Sequence, residues 1–190
     1  MVNRSPELMN PFDTILVVID LQERLLPVIP TEQKIVWNVG RLASGAAALG
    51  MSVIATEQYP EKLGATVSPI NSALSQPAVA KLAFSCARCT ELFDNLQEQG
   101  IHRILLCGIE THVCVLQSAY DLMAQGFSIY LASDAVGSRY ENDHQWALRR
   151  LESAGAVVTT TETALFEWCT EAGTSQFKQI SQLAKQQPPE

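Results

Sequence analysis

Short apolar runs alternate with helix-length amphipathic stretches along most of this 190-residue chain. The run Ile15 to Ile19 is entirely aliphatic, which is typical of a parallel strand buried on both faces. Three glycines each end a predicted helix just before a strand, namely Gly100, Gly126 and Gly155. This alternation predicts an α/β fold, a three-layer, doubly wound (Rossmann-like) sheet of about six mainly parallel strands with helices on both faces.

The predicted elements cover most of the chain. Strands are expected at 14–20, 51–56, 78–81, 101–107, 127–132 and 156–160, and helices at 31–49, 90–99, 111–125, 141–153 and 175–183. The stretch 57–75 carries Pro60, Gly64 and Pro69 and is predicted to be a long loop or a broken helix. We expect one domain over residues 1–190, with flexible ends at 1–11 and 186–190.

Charge and composition exclude several classes of partner. The formal net charge is −7 and the basic residues are scattered, so no nucleic-acid surface is expected. No apolar stretch approaches the ~18 residues that span a membrane, and residues 1–7 lack the apolar core of a signal peptide. The prediction is a soluble, cytoplasmic protein that binds a small-molecule substrate. Its five cysteines are expected to be reduced thiols, because an odd number without framework spacing does not suggest a disulfide scaffold.

A polar residue ends, or closely follows, three of the apolar runs: Asp20, Lys81 and Cys114. Ligands of parallel sheets bind outside the carboxyl ends of the strands, so these side chains are expected to meet at one site. Taken singly, Asp20 also fits a helix cap, and Cys114 fits a small buried hydrophobic residue. Lys81 is harder to explain that way, because a lysine after a short buried strand needs a partner, and Asp20 is the candidate. The trio predicts nucleophilic catalysis, in which Asp20 shuttles the proton of the thiol and Lys81 supports the charge.

The position of Cys114 predicts an activated thiol. Thr111 is the expected N-cap of a helix, and Cys114 lies at about its third position. Free backbone amides and the positive end of the helix dipole would lower the pKa of the thiol there. His112 is predicted to point away from Cys114, because residues two apart on a helix do not share a face.

These residues also carry a resemblance to a known family. Asp20, Lys81 and the segment Gly108-Ile109-Glu110-Thr111-His112-Val113-Cys114-Val115 resemble the cysteine hydrolases of the isochorismatase-like superfamily over nearly the whole chain. Thr56-Glu57-Gln58-Tyr59-Pro60, Leu63-Gly64 and Gly155-Ala156-Val157-Val158-Thr159-Thr160 resemble its isochorismatase-domain-containing branch in particular.

The resemblance assigns the catalytic triad to Asp20, Lys81 and Cys114. It implies a cis peptide bond between Ile109 and Glu110, and an oxyanion hole formed by the backbone amides of Glu110 and Cys114. It further implies a homo-oligomer.

One departure from the superfamily concerns metal. Its nicotinamidases bind a metal through an Asp-x-His and a further His after the second strand, whereas residues 56–61 contain no histidine. We therefore expect no metal, and the absence of a nucleotide-binding glycine motif predicts no cofactor. With a cysteine present, hydrolysis of a small amide or carbamoyl C–N bond through a thioester is favoured. The expected substrate-binding residues are Gln22, Gln58, Tyr59, Phe84 and Thr111.

Two other functions remain open. The chain could be a non-catalytic binding or scaffold protein of the same fold, or a thiol-redox protein that uses Cys86 and Cys89, which form a Cys-x-x-Cys. The other histidines, His102 and His144, are expected to be solvated.

Overall fold

The computed structural model describes residues 4–94 and 96–189. Six parallel strands form one sheet in the order β3-β2-β1-β4-β5-β6, so the chain winds outward in both directions from β1 and β4. This confirms the predicted doubly wound α/β fold. The strands are β1 (Thr14–Ile19), β2 (Val53–Gln58), β3 (Val79–Lys81), β4 (Arg103–Ile109), β5 (Ser128–Gly137) and β6 (Val157–Thr159).

Helices cover both faces of this sheet. They are α1 (Glu32–Ala48), α2 (Pro60–Leu63), α3 (Ser68–Asn71), α4 (Thr90–Phe93), α5 (Leu116–Ala124), α6 (Glu141–Ser153), α7 (Thr161–Cys169) and α8 (Ser175–Ala184). Short 3-10 turns lie at Leu26–Val28 and Cys86–Arg88, and a π-helical turn lies at Thr111–Val115. Among the described helices, none has the length and apolar character that crossing a bilayer requires.

Several elements differ from their predicted extents. The helix expected at 90–99 ends at Phe93, and α7 lies in a stretch for which no helix bounds were predicted. β5 runs five residues beyond its predicted end, because a register shift lets Leu106 pair with Leu131 but Gly108 with Val136. The stretch 57–75 is a broken helical segment, with α2 and α3 inside it.

Alternation along the strands divides the core into two halves. In β1, Leu16 and Val18 face the half that packs against α1, α7 and α8. Ile15, Val17 and Ile19 face the other half, which contains the buried residues of α4, α5 and α6. The sheet is therefore buried on both sides, and its carboxyl edge is the place where polar side chains can gather.

The join between β1 and β4 depends on Gly108. Its φ is +112°, a value that side-chain-bearing residues rarely adopt, and a Cβ built there would lie 2.0 Å from the backbone oxygen of Ile19. The absence of a side chain thus lets the end of β4 approach the end of β1. This contact brings the segment that carries Cys114 next to Asp20.

We expect Gly108→Ala to lower the free energy of unfolding by about 3 kcal/mol, because the new methyl group must displace the β1 backbone. Gly40→Ala is the matched control, since a Cβ at Gly40, inside α1, would meet nothing within 4 Å. It should be neutral or stabilising by about 0.5–1 kcal/mol. Urea unfolding followed by circular dichroism measures both, and an equal effect of the two substitutions would contradict the close approach.

Candidate active site

A buried ion pair lies at the carboxyl edge of the sheet. Lys81 Nζ lies 2.7 Å from Asp20 Oδ2, and the two residues are 5% and 0% exposed. The second carboxylate oxygen, Oδ1, accepts a hydrogen bond of 2.9 Å from the Thr56 hydroxyl. The predicted partnership of Asp20 and Lys81 is therefore present, although the residues are 61 positions apart.

The backbone at the ends of β1 and β2 places the carboxylate. Asp20 follows β1 with a positive φ of 52°, and its amide donates to the Thr56 carbonyl at 3.1 Å. Aspartate is one of the few residues that tolerate this left-handed conformation. The side chain thereby leaves the strand at its end and meets Lys81, which ends β3.

The third residue of the trio adjoins this pair. The Cys114 thiol lies close enough to Asp20 and Lys81 for both to influence its pKa, and Sγ is 4.0 Å from Oε1 of Gln58. Cys114 is 6% exposed. The structure thus brings together all three residues that sequence reasoning selected as a triad, although their catalytic roles stay a prediction.

The expected lowering of the thiol pKa is wrong. Burial is the largest influence and raises the pKa of Cys114, and the Asp20 carboxylate raises it further. The Lys81 ammonium lowers the pKa but does not compensate for the other two effects. The resting sulfur is therefore a thiol at neutral pH.

The local helix geometry also differs from the expectation. Glu110, rather than Thr111, precedes the first helical residue, and no side chain caps the π-helical turn. Cys114 lies within this turn and before α5. The Thr111 hydroxyl lies instead 3.0 Å from Nδ1 of His144. The peptide bond between Ile109 and Glu110 is cis, as the resemblance implied.

The predicted substrate-binding residues occupy different positions around the trio. Gln58 contacts both Lys81 and Cys114. Phe84, a residue that is 52% exposed, contributes its carbonyl oxygen to Lys81 at 3.0 Å. Tyr59 is also exposed, whereas Thr111 is fully buried. Gln22 is buried as well, and it binds the backbone of Gln58 and the Gly64 carbonyl. Contact of these residues with a substrate stays a prediction.

Two of the three expectations about histidines are correct and one is wrong. His102 is exposed, as expected. His112 bonds to the Ser138 hydroxyl at 3.0 Å, so it is engaged with the end of β5. His144 was expected to be solvated, but it is half-buried against Thr111, and burial lowers its pKa. The predicted α6 helix contains His144, but the sequence could not show which face of α6 meets the π-helical turn.

The Cys-x-x-Cys pair lies in a poor environment for thiolate chemistry. Cys86 and Cys89 are both buried with free thiols. Burial raises the pKa of Cys86 to about 12 and also raises that of Cys89. Thiol–disulfide exchange starts from a thiolate, and a raised pKa leaves little of it at neutral pH, so these pKa directions disfavour the redox alternative.

Sequence reasoning missed two residues that support the site. The Thr56 hydroxyl donates to Asp20. The backbone amide of Arg139 donates to Oε2 of Glu110 at 2.9 Å. Thr56 pairs with Ile19 in the β1–β2 ladder, so it lies next to Asp20. The sequence alone does not give the order of the strands, and this neighbour was therefore missed. Within residues 4–94 and 96–189, no group of three or more His, Cys, Asp or Glu side chains is arranged to hold a metal ion.

Comparisons with known proteins agree with this architecture. The isochorismatase domain model matches residues 14–163. The chain is 35% identical to isochorismatase domain-containing protein 1 of Danio rerio, over 96% of this chain but 64% of that protein. It is 36% identical to isochorismatase domain-containing protein 2A of Mus musculus, over 95% and 86% of the two chains. The structure of MAR1 ribonuclease from Caenorhabditis elegans superposes with a TM-score of 0.88 at 34% identity, covering 96% and 95% of the two chains.

We expect Lys81→Met to lower the free energy of unfolding by about 3–5 kcal/mol, because it leaves the buried Asp20 carboxylate without its counter-charge. Lys62→Met is the matched control at an exposed position and should stay within about 0.5 kcal/mol of the wild type. Adding Asp20→Asn to Lys81→Met should recover part of the loss. Denaturant unfolding of these four proteins and of Asp20→Asn alone tests this, and additive losses in the double variant would contradict direct pairing.

We expect Cys114 to react slowly with iodoacetamide at pH 7 in the folded protein, because its raised pKa leaves little thiolate. The rate should continue to rise above pH 8.5, about where an unperturbed thiol titrates. Peptide mass spectrometry after timed labelling between pH 6 and 10 measures it, with the urea-unfolded chain as control. A plateau below pH 8 would show a resting thiolate instead.

Proposed function

We propose that this chain, which belongs to the isochorismatase family and has its hydrolase fold, is a metal-independent cysteine hydrolase that cleaves a small amide or carbamoyl C–N bond. The observation that carries this proposal is a buried thiol beside a buried carboxylate that is paired with an ammonium group. Such a carboxylate can accept the thiol proton, and the thiol then becomes a nucleophile only when attack occurs.

The proposed reaction has two halves. In the first, Asp20 takes the proton from Cys114, and Sγ bonds to the substrate carbonyl carbon. The carbonyl oxygen becomes an oxyanion, which the backbone amides of Glu110 and Cys114 stabilise. The C–N bond then breaks, the leaving amine takes the proton from Asp20, and a thioester on Cys114 remains.

The second half removes the thioester. Asp20 takes a proton from water as the water oxygen attacks the thioester carbonyl. Collapse of the second tetrahedral intermediate breaks the C–S bond, and Asp20 returns its proton to the sulfur. The products are the free acid, or a carbamic acid, and the regenerated thiol. Lys81 keeps its charge throughout and stabilises the carboxylate whenever Asp20 is deprotonated.

The relatives leave other activities to be tested. The C. elegans relative is called a ribonuclease, but basic residues are scattered over this chain of net charge −7, and the site chemistry described above is that of acyl transfer. We also propose that the protein is cytoplasmic and forms a homo-oligomer, as expected from the sequence. Because the chain spans 64% of the Danio rerio protein's length, none of these assignments extends to that longer protein.

Turnover of a panel of small primary amides and carbamoyl compounds, followed as ammonia release, tests the proposed activity. Cys114→Ala should abolish turnover, because the proposed thioester forms on this sulfur. Cys169→Ala is the matched control, since this buried cysteine ends α7 on the other side of the sheet. It should retain wild-type activity. Rapid quenching and mass spectrometry should find the acyl adduct on Cys114 of the wild type and of Cys169→Ala, and no adduct in Cys114→Ala.

Other outcomes identify the alternatives. Binding of compounds from the panel without turnover or adduct would indicate a non-catalytic binding protein. Cleavage of RNA that persists in Cys114→Ala would indicate nuclease chemistry at another group. Peroxide reduction that depends on Cys86 or Cys89 would indicate a redox protein. The first result contradicts the proposed hydrolysis directly, and the other two contradict it when no compound of the panel is hydrolysed.

A further inference from the structure

We propose that Gln58 is a positioning residue of the triad: its side-chain amide fixes the Lys81 ammonium and keeps the resting Cys114 thiol protonated, instead of binding the substrate. This inference rests on the proposed cysteine chemistry and assigns Gln58 a role different from the one expected from the sequence. Four contacts within the site carry the argument.

The first contact concerns the hydrogen bonds of Lys81. An ammonium group has three N–H donors. Nζ lies 2.7 Å from Asp20 Oδ2, 2.7 Å from Gln58 Oε1 and 3.0 Å from the Phe84 carbonyl oxygen. All three donors are therefore engaged, and none remains for a substrate. A fourth acceptor, the Ala83 carbonyl oxygen, lies farther away at 3.4 Å, and Gln58 supplies one of the two closest acceptors, so it helps to direct the ammonium at Asp20.

The second contact fixes the direction of the Gln58 amide. Its Nε2 donates to the carbonyl oxygen of Leu82 at 2.8 Å, directly after Lys81 in the chain. A reversed amide would place an NH₂ group against the ammonium and an oxygen against this carbonyl, so only one orientation satisfies both neighbours. Both ends of the side-chain amide are thus used within the protein.

The third contact holds the Gln58 backbone. The buried Gln22 side chain accepts from the Gln58 amide at 2.7 Å and donates to the Gln58 carbonyl at 3.0 Å. Tyr59, the next residue after Gln58, donates its amide to the carbonyl of Lys81 on the neighbouring strand β3 at 2.9 Å. Since backbone and side chain are both held, Gln58 has little freedom to turn toward a substrate.

The fourth contact joins Gln58 to the nucleophile. Oε1 lies 4.0 Å from Cys114 Sγ, so it can accept a weak hydrogen bond from the thiol, whereas its partial negative charge opposes a thiolate. The charged groups that act on this thiol are Asp20, which follows β1, and Lys81, which ends β3. Gln58 ends β2 between them and is uncharged, so the atom at its Oε1 position tunes the protonation of the sulfur.

Two variants of similar length isolate the effect of this atom. Gln58→Glu places a carboxylate oxygen against Lys81 and Sγ, and Gln58→Met places an apolar group there. Both lose the donor to Leu82, so a purely structural effect should be shared. The pH dependence of Cys114 alkylation by iodoacetamide, measured without substrate, is the readout, and thermal unfolding of each variant controls for stability.

We expect the inflection of the alkylation profile to move up by about one pH unit in Gln58→Glu, which is a tenfold slower reaction below the inflection. In Gln58→Met it should move down. Shifts in the same direction, or none, would overturn the proposal. If Gln58→Met does not fold, the profile of Gln58→Glu against the wild type decides alone, because an unchanged or lowered inflection contradicts the added negative charge.

Steady-state kinetics with an amide that the enzyme hydrolyses give a second readout. A positioning role predicts that Gln58→Glu lowers kcat at least tenfold while KM changes less than twofold, whereas a substrate-binding role predicts a raised KM. The two proposals also fail separately. The alkylation profiles of Gln58→Glu and Gln58→Met could shift in opposite directions while hydrolysis survives Cys114→Ala. That result would contradict the proposed function and support the role of Gln58.

Discussion

The buried contact between Lys81 and Asp20 constrains the geometry of the whole carboxyl edge. Neither charge can be left alone at this depth, because an unpaired buried ion costs several kcal/mol. Lys81 ends the edge strand β3, and Asp20 follows the central strand β1, so the pair spans the intervening strand β2. The ladder aligns Gln58 with Lys81 and Thr56 with Ile19, and the polar residues of β2 thereby become neighbours of the pair. A single electrostatic requirement thus links three strand ends and surrounds the carboxylate with donors.

The sequence predicted the parts of this site that depend on where strands end. Asp20, Lys81 and Cys114 each end or closely follow an apolar run, and parallel strands bring their carboxyl ends to the same edge, so their meeting followed from local pattern and one rule of topology. The contacts of Thr56 depend on the order of the strands, and those of Gln58 depend on the direction of its side-chain amide. The contacts of His144 depend on how α6 is rotated about its axis. None of these leaves a periodic signal. The short α4 shows the same limit, because local helix propensity did not reveal that the helix ends at Phe93.

The thiol illustrates why a local argument about reactivity failed. A helix start favours the thiolate, but this effect is worth about 1 kcal/mol or less at most exposed positions. Cys114 is buried and faces a carboxylate, and both conditions favour the neutral thiol. Their sum exceeds the influence of the helix end and of Lys81. The nearest full charges and the loss of water therefore decide the resting state, and both are properties of the assembled site.

In the proposed reaction, the ammonium group also keeps the net charge of the buried site at zero while a proton moves within it. Before transfer, the trio consists of a carboxylate, an ammonium and a thiol, with a net charge of zero. After the proton passes from Cys114 to Asp20, it consists of a carboxylic acid, an ammonium and a thiolate, and the net charge is again zero. Because the total does not change, the surrounding protein solvates the same overall charge in both states, and the barrier reflects the movement of the negative charge between two positions near one cation. Without Lys81 the same transfer would take place in a buried site of net charge −1, where both states are poorly solvated. In the proposed reaction the lysine therefore acts through its position, which is consistent with an ammonium whose three donors are all held by the protein.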